Sequence, residues 1–338
     1  MHSPVYLAIC AASVGGKFVY GAPEVTSMVF ASALAIAVLG VPHGGLDHWA
    51  GRRLFQSRFA SGWWAVFFPT YLLVAIIFAC GWFFAPVFTV VLFFLGSAWH
   101  FGREDQRAID GNLKILPTNK AIKHVIAVSV GGLVIWIPAL VRPDEMQSLL
   151  GLIVLTPNVE STIRIVYVTQ MIAVYLVPLA FVVLIADLAR SPYACGRCVP
   201  LVTAIIAFYM PILISFSIYF CGWHSWQGLR KLRHDEALTV RDFVRYVAPL
   251  SIAAVLGIVA AGWWLQVWSA DSLNDGQSSA TLRALFIGLS AIAVPHLLLH
   301  EIDSHRRTIP RVVTSKSANP MTESITVFEQ PSIQRVCT

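Results

Sequence analysis

Up to about residue 300 the chain alternates between long apolar stretches and shorter polar, mostly basic ones. Apolar runs read at about 27–42, 63–81, 83–100, 124–141, 165–187, 199–223, 248–268 and 282–300, with a weaker one near 4–16. The strong runs are close to the roughly 17–25 residues that a helix needs to cross a bilayer. Backbone placed in hydrocarbon must satisfy its own hydrogen bonds, so these runs are predicted as helices. The pattern predicts an all-α, polytopic transmembrane bundle of about eight spans, or nine with the weaker run. Residues 1–303 read as one membrane domain. From Ser304 onward Ser, Thr, Pro and Arg prevail without periodicity, and 304–338 are predicted to be a disordered cytoplasmic tail.

The polar stretches orient the bundle. Arg52, Arg53 and Arg58 lie in 48–62; Arg103, Arg107, Lys114, Lys120 and Lys123 in 102–123; and Arg230, Lys231, Arg233, Arg241 and Arg245 in 224–247. Ala270–Ala280 has no Lys or Arg. Basic loops face the cytoplasm, which predicts a multi-pass protein of the cytoplasmic (inner) membrane. One parity conflict remains, because three runs separate two loops that should both be inside. Either Met146–Leu155 is a partial or re-entrant span, or Pro138 or Pro211 breaks a run counted whole.

Composition supports this reading. Only 12% of the 338 residues are charged, about half the roughly 25% of a soluble domain, and mean hydropathy is +0.70. The net charge of +6 sits between apolar runs, so it reads as topology, with no nucleic-acid partner expected. Lys17 interrupts the first apolar stretch and no basic segment precedes it, so a cleaved leader is not expected. Cys10, Cys80 and Cys221 fall in or beside apolar runs and read as small hydrophobes. Cys195 and Cys198 form one pair without the second that a structural zinc site usually needs.

What changes the picture is histidine. Pro42-His43-Gly44-Gly45-Leu46-Asp47, Trp99-His100-Phe101-Gly102 and Gly222-Trp223-His224-Ser225 each end an apolar run, and Pro295-His296 lies inside the last one. With the basic loops inside, His43, His100 and His224 sit at cytoplasmic ends of their spans, and His296 about one turn deeper. Ionisable groups at membrane depth are costly and usually functional. Four imidazoles in one layer predict a metal shared between helices, against the simpler reading of interfacial histidines beside Trp and Gly. Asp47 is the carboxylate expected to orient His43, Asp105 to orient His100 or only solvate its loop, and Glu301 is a third candidate for that outer layer. His48 lies about 140° around a helix from His43 and is a poor co-ligand. His300 shares a face with His296, which is preferred because it lies deeper. His2, His124 and His234 read as structural or solvated. Tyr71, Tyr175, Tyr209 and Tyr219 lie within apolar runs and read as packing or cavity lining.

In this order the motifs resemble the Brp/Blh family of bacterioopsin-related membrane proteins, β-carotene 15,15′-dioxygenases. The matching stretches are Gly40–Asp47, Trp99–Gly102, Tyr219–Ser225 and Phe286–His296, which span nearly the whole membrane region. The resemblance implies Fe(2+) held by histidines, and central cleavage of β-carotene or a related carotenoid by O2 to two retinals. Carried over by position, His43, His100 and His224 become iron ligands. The family pattern places a further histidine four residues after the one matching His224, where this chain has Gly228. His296 is the best replacement, with His300, His48 or a water as alternatives. The substrate would be drawn from membrane lipid, with a retinal-binding opsin as downstream acceptor.

Two other classes compete. A di-iron desaturase needs about eight histidines in clustered His-x-x-His-His boxes, and no such box exists; a haem protein would need two matched histidines on facing helices, and no Cys-x-x-Cys-His attachment motif is present. A transporter, or a diverged non-catalytic partner of a retinal or carotenoid system, predicts acids within the spans, where only Asp187 lies near.

Overall fold

The computed structural model describes residues 3–21, 24–108, 119–154, 159–190, 195–268 and 276–308, and all regular structure among them is helical. The helices are α1 (Ser3–Tyr20), α2 (Val25–Ala35), α3 (Asp47–Phe59), α4 (Trp63–Phe84), α5 (Pro86–Ala108), α6 (Lys120–Gly131) and α7 (Leu133–Val141). The chain continues through α8 (Pro143–Ile153), α9 (Val159–Arg190), α10 (Val199–Tyr209), α11 (Ile212–Tyr219), α12 (Trp226–Asp235), α13 (Val240–Trp268) and α14 (Gly276–Thr308). α14 thus runs into the stretch expected to be tail, and 309–338, the Ala270–Ala280 loop up to residue 275 and residues 109–118 of the 102–123 loop lie outside the described residues.

The all-α expectation holds, and the count of eight spans is not confirmed among the described residues. By length and composition Thr26–Phe84, Val159–Ala189, Val240–Trp263 and Leu282–Asp303 qualify, plus α6 and α7 if that pair, bent by 59°, is one span. Part of the difference is that Thr26–Phe84 joins two of the predicted runs, and part is that one run is broken. Pro211 breaks 199–223 as anticipated: Met210 is extended (ψ 155) before a residue that cannot donate to a helix ladder. The broken ends are capped by charge. Arg142 donates to the Phe208 and Tyr209 carbonyls at 3.2 and 2.8 Å, Lys17 also donates to Tyr209, and Glu145 accepts the Ile212 N–H at 2.7 Å. Unmet, each such group would cost several kcal/mol in lipid.

Pro138 does not break its run; it lies inside α7. The bend falls at Gly132, where α6 presses on α5. A Cβ on Gly131 would lie 2.1 Å from the Gly102 nitrogen, and one on Gly102 2.0 Å from the Ala127 carbonyl oxygen. Such backbone-to-backbone approach is how membrane helices gain packing when lipid offers no hydrophobic drive between them. The described part of Met146–Leu155 falls in and just after the short α8 (Pro143–Ile153), about 16 Å long and too short to span.

Exposed Leu72, Leu73, Ile76 and Ile77 on α4, and Ile252, Leu256, Val259 and Trp263 on α13, present broad apolar faces. The protein is a membrane protein. At the histidine end of the bundle Arg53 pairs with Glu236 (2.8 Å) and Asp303 (3.0 Å), Arg103 with Glu301 (2.9 Å), and Lys231 with Glu104 (3.2 Å). These ties join α3, α5, α12 and α14 around the site.

Candidate metal centre

Two π-helical turns shape the site. One, Ile36–Gly40, passes into a 3-10 turn at Val41–Gly44 that carries His43; the other, Phe220–Ser225, carries His224. Such widened turns recur at functional sites because they re-aim the side chains next to them. The two turns pack face to face, so close that a Cβ on Gly40 would lie 2.6 Å from the Phe220 ring. His100 comes from α5 and His296 from α14.

The structure brings all four histidines together. His43 lies 5.0 Å from His296, 5.2 Å from His224 and 6.3 Å from His100 between ring centroids; His100 lies 5.1 Å from His224 and 5.6 Å from His296. One ring nitrogen each from His43, His100 and His296 falls within 4.8 Å of the others. His100, His224 and His296 are at most 7% exposed. The Nε2 atoms of all four, and Nδ1 of His43, have no hydrogen-bond partner among the described residues. Buried polar atoms are rarely left so, and their clustering around His43, His100 and His296 marks a place for a ligand.

Two carboxylates set the direction of two rings. His296 Nδ1 lies 2.8 Å from Asp47, and His224 Nδ1 2.9 Å from Asp105. An ionised carboxylate only accepts, so each imidazole donates from Nδ1 and turns the Nε2 lone pair inward. Each carboxylate also accepts from a tyrosine: Asp47 from Tyr71 at 2.8 Å, Asp105 from Tyr219 at 2.6 Å. The expected pairings are therefore corrected. Asp47 serves His296 rather than His43, and Asp105 serves His224 rather than His100, because each carboxylate reaches across the bundle instead of along its own turn. Glu301 accepts from Arg103 at 2.9 Å. Tyr71 and Tyr219, which read as packing or lining, complete two His–Asp–Tyr chains, and only their place in apolar runs hinted at them.

The remaining histidines separate. His300 lies 5.2 Å from His296 and 5.9 Å from His100, its Nδ1 3.8 Å from Glu104. The His48 ring stands against Trp49. His124 accepts from Trp99, and His234 is exposed; His2 lies outside the described residues. Tyr175 and Tyr209 are largely exposed. Cys198 is a free thiol, and the side chain of Cys195 lies outside the described residues.

The histidines face a cavity of about 560 Å³. Its walls are almost wholly apolar, with Phe67, Phe93, Phe216 and Leu289 among them.

A family model described as "Beta-carotene 15,15'-dioxygenase" matches residues 34–302. The chain belongs to the β-carotene 15,15′-dioxygenase family. It is 28% identical over 280 residues to "Beta-carotene 15,15'-dioxygenase" of an uncultured marine bacterium 66A03, covering 79% of this chain and 91% of that one. It is 25% identical over 301 residues to "Probable beta-carotene 15,15'-dioxygenase Blh" of Halobacterium salinarum (strain ATCC 700922 / JCM 11081 / NRC-1), covering 79% and 82%. No solved structure matches.

Against the histidine pattern read for this dioxygenase family, the departure at Gly228 has a steric reason. A Cβ there would lie 1.9 Å from His43 Cε1 and 2.2 Å from its Nδ1, so His43 occupies the volume a side chain at 228 would need. The carboxylates give a direct check on the centre. Asp47→Asn and Asp105→Asn keep shape but remove the charge that holds Nδ1–H, and each is expected to lower metal retention about 10–100-fold. Metal per protein after dialysis against a graded chelator measures it; unchanged retention in both would reduce the carboxylates to packing.

Proposed function

We propose that the protein is an iron-dependent carotenoid cleavage dioxygenase that splits β-carotene at its central double bond with O2, giving two retinals. The observation that carries this is the gathering of four histidine rings with buried, unpartnered Nε2 atoms, three of them with ring nitrogens within 4.8 Å of one another, on an apolar cavity. The relatives' names supply the substrate class. The donor set fits the metal: imidazole suits Fe(2+), and neutral ligands leave its charge uncompensated. His43, His100, His224 and His296 would hold it. Bound there, iron supplies the redox centre through which O2 is activated toward an alkene.

The protein's own groups do the rest. Asp47 and Asp105, steadied by Tyr71 and Tyr219, hold two rings in one tautomer. The apolar walls take up a hydrocarbon and keep water from a reactive site. The reaction balances without a reductant, since one C=C bond breaks and each oxygen atom ends in one aldehyde. The bias of basic residues toward three loops supports a cytoplasmic-membrane location, where the enzyme would draw substrate from lipid and release retinal to a retinal-binding opsin.

Expression in a β-carotene-producing bacterium, with retinal and carotene resolved by chromatography and iron measured in the purified protein, tests the reading. Retinal with stoichiometric iron is expected. Well-expressed protein that leaves carotene intact and carries no iron would overturn it.

A further inference from the structure

The cavity is a shaft with its histidines at one end. Along α14 its lining runs from Ala284 to His296, about 18 Å at 1.5 Å per residue. One side of the shaft is closed, because α13 presses on α14 where a Cβ on Gly288 would lie 2.7 Å from Ile258 Cγ1. The opposite side is not. α4 and α13 each pack along α14 and make little contact with one another. Between them Leu72 of α4, and Ala253, Gly257 and Ala261 of α13, line the cavity and are at the same time exposed to the surroundings. Ala253, Gly257 and Ala261 recur every four residues and so share one face of α13. A Cβ on Gly257 would meet nothing within 4 Å.

We propose that the slit between α4 and α13 is the port through which a rod-shaped polyene enters sideways from the bilayer, and that Gly257 keeps it open. This rests on the carotenoid reading of the centre. Three facts converge on that occupant. The opening gives onto lipid, since its rims are the exposed apolar faces of α4 and α13. Its lining is mostly hydrocarbon, and the polar groups include Asp47, Tyr71 and the histidines, of which His100, His224 and His296 are over nine-tenths buried with unpartnered Nε2 atoms. A terminal centre also admits a rod in only one way that brings its middle bond to the histidines. One half lies along α13 and α14, and the other leaves beside Leu72 and Leu250. A slit along the shaft lets the rod enter broadside, so a bulky end ring never has to thread past the histidines.

The test compares wild type with Gly257→Phe and Gly257→Trp, and with Ala260→Phe, which adds the same bulk to an exposed α13 position off the cavity. Each protein is purified from β-carotene-producing cells; the polyene it retains is read by visible absorbance, and retinal formation by initial rates in proteoliposomes. The expected result is an about tenfold or greater fall in kcat/KM and in retained polyene for the Gly257 variants, with kcat at saturation and iron content kept. Ala260→Phe should match wild type. Gly257→Trp that retains polyene and turns it over like Ala260→Phe would overturn the port and leave the dioxygenase standing. Wild type that retains no polyene and forms no retinal would overturn both.

Discussion

Replacing His296 by alanine is expected to bring retinal formation to background and to cost the protein most of its iron. Of the four imidazoles, His296 has no counterpart among the positions carried over as iron ligands, so its loss asks most directly whether α14 contributes a ligand. Partners that merely orient metal ligands are worth about 10–100-fold, and a ligand itself more, so the loss should be at least about 100-fold. Alanine also strands Asp47, which would keep only the Tyr71 hydroxyl, at about 1–3 kcal/mol. His296→Gln separates the two effects, because an amide N–H can still donate to Asp47 but binds iron poorly. Both variants should reach the membrane, with the glutamine variant the more stable, and neither should form retinal. Full activity in His296→Gln would remove His296 from the ligand set and return it to a structural role.

The histidines themselves were legible because polar rings at the ends of membrane-length runs have few uses, and the structure does gather His43, His100, His224 and His296. The partners of Asp47 and Asp105 were not legible. Sequence proximity favours His43 and His100, only four and five residues away. The π turns re-aim the neighbouring side chains, and the carboxylates meet rings 249 and 119 residues distant. Tyr71 and Tyr219 carried no signal beyond their place in apolar runs, since a tyrosine there looks the same whether or not its hydroxyl reaches a buried carboxylate. The helical class came directly from run length. The span count did not, because a run reads as continuous whether its backbone continues or stops, and the caps at Pro211 come from Lys17, Arg142 and Glu145 on other helices. The bend at Gly132 was hidden for a related reason: the contact that demands it is with Gly102, on the neighbouring helix.

Gly228 is where sequence and structure bear most closely on each other. The smallest change there, Gly228→Ala, is expected to lower retinal formation about 100-fold, the cost of displacing a reacting centre by around 1 Å. The added methyl would stand 1.9 Å from His43 Cε1, and the ring cannot stay where it is. His43 is hemmed in by His224 and His296 at 5.2 and 5.0 Å, so it must leave the cluster rather than shuffle within it. If residues 43 and 228 compete for one volume, the two positions should also compensate. His43→Ala vacates the space and Gly228→His refills it, so the double variant should recover iron that either single variant loses. That non-additivity is what a shared volume predicts and what two independent sites would not produce. Iron content and retinal yield across the four proteins read it directly. A Gly228→Ala protein with undiminished activity would mean that His43 moves freely and holds no fixed place at the centre.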